Sequence, residues 1–542
     1  MSTLRPLVDV AAELGIPADA VMQWGRNAAK IDPAKVPARP DAPPAKVILV
    51  SAMTATPAGE GKTTTSIGLA QGLRKAGRRV ALVLREPSLG PVFGVKGGGT
   101  GGGKSRIEPH VDINLHFTGD MAAICAAHNL LAAAVGDAVH FGRKGAPDAR
   151  HVRWKRVIDV GDRALRNIVT GVGDGVAQST GFDITAASEV MACLCMATDA
   201  DDLRARLDRM WVGLDSERKP VPAGNIGVTG AMMAVLRDAM LPNLVQTTEG
   251  GPAIVHGGPF ANIAHGCNSV IATHLGMRTG DVVVTEAGFD FALGGQKFLS
   301  LKCPEAGIEA LAAVVVVTTI RALRHHGQAD TTTPDANAVR DGLANLDAHL
   351  DAVLAYGQRP VVAINRFPDD SPEELQAVKD HCAARGVVCA ESDHFGQGGQ
   401  GAMPLVQAIA PYIDMEPVPI QQLSPPEASL KDKVHALATR VYGADGVEWS
   451  PLAARKAKAL GRMGVAHLPV CMAKTQASLS DDKNWRNRPK GWKLTVRDLS
   501  VSRGAGFVVV LAGTMVRMPA MPRRPKAMAI DLLDDGTIVG VE

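Results

Sequence analysis

Residues 47–65 read Val47-Ile-Leu-Val50-Ser-Ala-Met-Thr-Ala-Thr56-Pro-Ala-Gly59-Glu-Gly61-Lys62-Thr63-Thr64-Thr65. The apolar, β-branched start predicts a buried strand. Thr63 to Ala76, closed by Gly77, predicts a helix. Val80 to Leu84 predicts a second strand. Strand, glycine-bearing loop, helix and strand in that order make a βαβ unit, the building block of a parallel sheet covered by helices. Short apolar runs recur at Val282 to Thr285, Val314 to Val317, Val361 to Ile364 and Val387 to Cys389, each separated from the next by helix-compatible sequence. The expected fold class is therefore α/β: a P-loop-containing, mostly parallel sheet with helices on both faces, plus two smaller α/β domains.

Residues 1–45 read as a helical opening followed by a Pro/Ala-rich connector. From about Gly491 the texture changes to short alternating strands with Gly and Pro turns. The expected division is 1–358 for the nucleotide domain, 359–490 for a second α/β domain and 491–542 for a small C-terminal domain.

The loop between the first strand and helix matches G-x-x-x-x-G-K-[ST] at every position but the first, which is Thr56. Glycines let backbone N–H groups point at phosphate oxygens, and a helix N-terminus adds partial positive charge. Thr56, Pro57, Ala58, Gly59, Glu60, Gly61, Lys62 and Thr63 are the candidate ATP-binding residues. Lys62 would neutralise β/γ-phosphate charge, and the Thr63 hydroxyl would ligate Mg²⁺. The alternative is a glycine-rich turn that binds nothing. Arg85 and Glu86 follow the second strand, at the edge where open α/β sheets bind ligands, next to the nucleotide strand. Arg85 there is either a clamp on a transferred phosphoryl group or one half of a surface ion pair. Gly94 to Lys104 holds seven glycines in eleven residues. That density fits a flexible linker, or a loop whose backbone must lie against something else.

Composition narrows the function. Lys+Arg 58 against Asp+Glu 55 leaves +3, so no global basic field points to nucleic acid. The eight cysteines show no C-x-x-C pair and read as reduced, buried thiols of a cytoplasmic protein. The apolar run Ala310 to Val317 is far short of the ~20 residues that cross a bilayer, and the first fifteen residues lack the apolar core of a signal peptide. No membrane partner is expected.

Taken together, several stretches resemble the formate–tetrahydrofolate ligase family: Thr56 to Thr64, Arg85 to Pro91, the glycine run 94–104, Asp112 to Asp120, Gly181 to Glu189, Gly258 to Gly266, Thr318 to Gly327 and Ala473 to Gln476. The likeness runs from about residue 45 to the C-terminus, and Thr at the first P-loop position is that family's form. The resemblance implies ligation of formate to N10 of tetrahydrofolate, with ATP converted to ADP and phosphate, by way of formyl phosphate. It makes Lys62 and Arg85 the catalytic residues and puts Glu86 near a monovalent cation (potassium or ammonium). It also implies a homotetramer. Phe289, Phe367 and Phe395 each follow a predicted strand, and by resemblance they form the folate site, where flat rings stack at about 1 kcal/mol per good contact. Phe395 stands where the family has Trp. The glycine run departs as well, with Gly99-Thr100 for Ala-Ala and Lys104 for Tyr. His116, His256 and His265 lie in matching stretches, as proton carriers or as hydrogen-bonded structural residues. Three other readings share parts of this pattern: a nucleotide-switch ATPase, a P-loop ligase or kinase for another small acid, and an inactive binding protein. The first two separate from the ligase by whether ATP turnover needs formate and tetrahydrofolate. Intact Lys62, Thr63 and Arg85 argue against the third.

Overall fold

The computed structural model describes residues 4–94 and 98–541. One 12-stranded sheet dominates it. In chain order its strands are β1 (Val21–Trp24), β2 (Ala28–Ile31), β3 (Lys46–Ala52), β4 (Val80–Leu84), β5 (Gly101–Gly102), β6 (Ser105–Glu108), β7 (Asn243–Thr247), β8 (Pro252–Val255), β9 (Val282–Glu286), β10 (Ala313–Thr318), β11 (Pro360–Asn365) and β12 (Val388–Ser392). Across the sheet they run β1-β2-β7-β8-β4-β9-β3-β10-β11-β12, and the β5–β6 hairpin joins through β7. Every pairing along that path from β8 to β12 is parallel. The β1, β2, β6 and β7 pairings are antiparallel.

Burial on both faces explains why the parallel strands are so apolar. In β3, Val47 and Leu49 enter one core cluster while Ile48 and Val50 enter another; in β10, Val314 and Val316 part from Val315 and Val317 in the same way. Successive strand residues point to opposite faces, so a strand covered twice must be apolar throughout. Helices α1 (Lys62–Lys75) and Met403–Asp414 cover one face through Ile67, Leu69, Leu405 and Ile409. Helices Val270–Thr279, Ile320–His326 and Ala336–Ala355 cover the other. Each fully buried Val or Leu contributes about 1.5–3 kcal/mol.

Three expectations are corrected by the strand order. Residues 1–45 are more than a helix and a connector: after Leu7–Ala12 they form the β1–β2 hairpin at the sheet edge. β4 is not beside β3, because β9 lies between and pairs with both. The sheets also do not divide at 358 and 490. β11 and β12 belong to the large sheet, and a second, four-stranded sheet takes Gly446–Trp449 and Val470–Ala473 together with the Lys493–Ser502/Phe507–Ala512 hairpin. Local hydrophobic pattern predicts a strand but carries no record of its neighbour.

Helix α2 (Asp120–His140) is long and apolar enough, by length and composition, to cross a membrane. Its Met121, Ile124, Leu131 and Val135 are instead packed in a protein core with Met232 and Leu236. All eight cysteines are free thiols, and Cys125 and Cys389 are the two not fully buried. Val95 to Gly97 of the glycine run, Lys96 included, lie outside the described residues.

Candidate active site

The loop after β3 turns back on itself through a hydrogen bond from the Gly59 N–H to the Thr56 carbonyl, 3.1 Å. Glu60, buried beneath it, accepts the Thr56 N–H at 2.7 Å. Pro57, Ala58 and Gly59 form an exposed apex. Gly61 then caps α1 with φ 75°. Only glycine fits there: the conformation is left-handed, and a Cβ would meet Asn365 Nδ2 at 2.3 Å. That Asn365 amide donates to the Glu60 carbonyl at 3.1 Å, so β11 braces the loop from the far side. Lys62 and Thr63 open the helix, half-buried, where unpaired N–H groups and the helix dipole favour an anion.

β9 carries the residue that ties the site together. Glu286, its last residue and 3% exposed, accepts the Thr63 hydroxyl on Oε2 at 2.7 Å and faces Arg85 Nη2 from Oε1 at 3.6 Å. Arg85 also donates from Nη1 to the Pro259 carbonyl at 3.4 Å, and its Nε is buried without a partner. One carboxylate thus joins the first turn of α1 to a strand-end guanidinium with donors still to satisfy. Glu286 was missed because the sequence places it only before Phe289. Its position between β3 and β4 is a matter of sheet order.

Glu86, the next residue, points the opposite way. Its carboxylate is 5% exposed, with Oε2 unpartnered, and it lines a cavity of about 140 Å³ with Asp159, His116, Gly119 and Cys125. Burial pushes its carboxyl well up, and the nearby Asp120 charge adds to that while Lys30 opposes it. Asp159 accepts Ser88 Oγ at 2.6 Å and the Leu89 N–H at 2.9 Å. A buried carboxylate and a half-buried one beside one cavity are a donor set suited to a cation.

The three phenylalanines follow β9, β11 and β12 and so share the edge of Arg85 and Lys62. Phe289 is half-buried and held at φ 59°, a conformation rarely seen in a bulky residue. Phe367 is half-buried beneath Arg321. Phe395 is 57% exposed and lies against the glycine run: a Cβ on Gly102 would meet its ring at 3.0 Å, and one on Gly103 would meet its carbonyl at 2.3 Å. The described part of the run is therefore a hairpin packed on Phe395, with the Lys104 N–H on the Phe395 carbonyl at 2.9 Å. Gly103→Ala is expected to lower stability by about 1–3 kcal/mol. Gly77→Ala, where φ is also positive but nothing lies within 4 Å, controls for backbone strain alone. Equal denaturant midpoints for the two variants would show that the Phe395 contact adds nothing.

The histidines divide. His256 is buried with both ring nitrogens engaged, by Ser269 Oγ at 2.6 Å and the Ala239 carbonyl at 2.7 Å, and burial pulls it to about 4. His265 is buried with neither nitrogen partnered, and burial pulls it to about 3. Both are neutral structural groups, whereas His116 is exposed at the Glu86 cavity. His394, beside Phe395, accompanies the phosphate loop instead. Its Nε2 is 3.3 Å from Thr65 Oγ1, which donates to the Gly61 carbonyl at 2.9 Å. Asp290 is another group the sequence did not single out. It is pushed up to about 6 by burial, against the fields of Lys474 and Lys62.

The chain matches the family described as Formate--tetrahydrofolate ligase over residues 1–542. It is 48% identical over 548 residues to the formate–tetrahydrofolate ligase of Myxococcus xanthus, covering 99% of each chain. It is 49% identical over 543 residues to that of Thermus thermophilus, again 99% of each. To that of an Arthrobacter species it is 48% identical over 551 residues, 100% of this chain and 97% of the other.

Proposed function

The chain belongs to the formate–tetrahydrofolate ligase family and joins formate to tetrahydrofolate with ATP; we propose that it does so through formyl phosphate held between Lys62 and Arg85. The observation that carries this reading is the Glu286 bridge, which sets the Thr63 turn and a guanidinium with an unsatisfied buried donor on one strand-end edge. A formate oxygen attacks the γ-phosphorus of ATP, the bond to the bridging oxygen breaks, and ADP leaves. The N10 amine then attacks the formyl carbon, phosphate departs with the electron pair of the C–O bond, and the N10 proton is lost to the departing phosphate or to solvent. Formate alone is a poor electrophile, and phosphorylation supplies the leaving group. Both steps concentrate negative charge on the phosphoryl oxygens, so positioning and fixed positive charge are what the protein must provide. Lys62 and the α1 N-terminus meet that charge from the loop side, and Arg85 from the neighbouring edge.

Mg²⁺, when bound, would neutralise the triphosphate. The Thr63 oxygen, its proton directed to Glu286, keeps a lone pair for it. Thr56 to Thr63 would line the triphosphate, and Phe289, Phe367 and Phe395 would offer ring faces to the pterin. Phe395 in place of Trp offers less area. Glu86 and Asp159 fit a monovalent cation, since an unpartnered buried carboxylate calls for one. Glu86→Gln is expected to raise the potassium or ammonium concentration for half-activation about tenfold or more, with thermal stabilisation by the cation lost in parallel. An unchanged titration by both measures would remove the cation from this cavity. On the family resemblance we read the enzyme as a cytoplasmic homotetramer.

The function is tested by ADP release from purified protein with Mg-ATP, omitting formate and tetrahydrofolate in turn. Turnover that needs both and yields 10-formyltetrahydrofolate is the expected result. Trapping acid-labile formyl phosphate in a single turnover without tetrahydrofolate tests the intermediate. Turnover indifferent to both substrates would defeat the reading.

A further inference from the structure

β10 ends beside β11, and the first turn of the helix that follows β10, Ile320–His326, brings Arg321 over Phe367. The guanidinium carbon is 4.3 Å from the ring centroid. Asp369 holds it there from two residues beyond the ring: Nη2 donates to Oδ1 at 2.5 Å and Nε to Oδ2 at 3.2 Å. Arg324, fully buried, stands 3.8 Å behind the same carboxylate. The backbone of Phe367 is closed into a turn as well, its N–H donating to Asp370 Oδ2 at 2.8 Å. Ring, guanidinium and carboxylate therefore form a layered unit with little freedom, and one face of the half-buried ring is taken.

We propose that Arg321 is a positioning residue for tetrahydrofolate, acting through Phe367: it occupies one ring face and leaves the other as a single, polarised stacking surface. The inference rests on the reading of Phe367 as a folate contact. Two aromatic faces are both electron-rich and avoid direct stacking unless offset. A cation on the far side draws density toward itself and makes the open face a better partner for an electron-rich ring. The aminopyrimidinone of tetrahydrofolate, carrying donor nitrogens, is such a ring. Asp369 matters because an untethered arginine would spend its time in water, and lysine, a compact ammonium without the planar fork, would not replace it.

Arg321→Met is expected to raise KM for tetrahydrofolate roughly three- to tenfold, with KM for ATP unchanged and kcat at saturating tetrahydrofolate within about twofold. Asp369→Asn, which keeps the shape but weakens the tether, should shift the same KM by a smaller factor. Arg321→Lys should behave like Arg321→Met. Phe367→Ala is measured alongside, and its KM for tetrahydrofolate is expected to rise by more than that of Arg321→Met. If Phe367→Ala raises KM for tetrahydrofolate and Arg321→Met does not, the positioning role is wrong while the folate site stands. If Phe367→Ala leaves it unchanged, the folate reading fails and takes this proposal with it. If Arg321→Met raises KM for ATP equally, or Arg321→Lys restores the wild-type value, Arg321 acts by general structure or by charge alone and the proposal is overturned.

Discussion

Lys62→Ala is expected to lower kcat for ligation by about 10³-fold or more, with thermal stability nearly unchanged. Among the described residues the Lys62 ammonium makes no hydrogen bond or ion pair, and the side chain is only half-buried at the first position of α1. Alanine is a strong helix former, so the substitution takes nothing from the fold. What it removes is a positive charge whose counter-charge arrives with the nucleotide. In the transition state charge moves onto the oxygen that bridges to ADP while the transferred group stays anionic, so the loss should appear mainly in kcat, with a smaller rise in KM for ATP. Lys62→Arg keeps the charge but changes its shape and reach, and should recover part of the rate. Initial rates of ADP release and of 10-formyltetrahydrofolate formation, beside a melting curve, decide the matter. An alanine variant within tenfold of wild type would mean that the Gly61-Lys62-Thr63 turn is not where phosphate is transferred.

How far the sequence could be read follows from which residues speak locally. β3, β4, β9, β10 and β11 were legible because a strand buried on both faces shows as an unbroken apolar run, whereas β12, at the sheet edge with Val388 exposed, showed only in its short apolar start. β1 was not, since none of its residues is buried, nor were β2 and β7, whose buried positions include Lys30, Asn243, Gln246 and Thr247. Lys30 is tolerated because its ammonium meets Asp120 at 2.8 Å and Asn243 at 2.9 Å, partners far along the chain. The phosphate loop was recognisable from residue types alone, while the hub that organises it was hidden. Glu286 becomes central only once β9 is inserted between β3 and β4. The glycine run was ambiguous for the same reason: what excludes a Cβ at Gly103 is Phe395, a residue remote in sequence. The brace on the start of the loop is likewise non-local. Thr54, just past the end of β3, meets Asn345 and His349 from one long helix, and Asn345 continues to the Asn487 carbonyl at 2.8 Å.

Breaking the Arg324–Glu374 pair from one side is expected to destabilise the protein by about 3–5 kcal/mol. Both side chains are fully buried, and the contact is bidentate: Nε to Oε1 at 2.7 Å and Nη2 to Oε2 at 2.6 Å. Glu374 also accepts the Asp335 N–H at 2.8 Å and the Ser371 N–H at 3.0 Å. It therefore fastens the ends of three helices beneath the Arg321–Asp369 unit. Burial pushes its carboxyl up, but the Arg324 hydrogen bonds and those backbone donors outweigh burial and hold it at about 2, from an ordinary 4.5. A folded-state value below the unfolded one stabilises at high pH. The contribution, about 3 kcal/mol, is complete above the unfolded value and disappears as pH falls from there through the folded value, about 2 kcal/mol of it by pH 3. Arg324→Met leaves a buried carboxylate without its cation and should show the full loss at pH 7. The double variant Arg324→Met/Glu374→Leu removes both charges and should recover most of it. Urea midpoints of wild type and double variant, compared between pH 7 and pH 3, test the linkage directly. Their difference should move in favour of the double variant as pH falls, and a difference that holds constant would show that Glu374 is not ionised against Arg324 in the folded state.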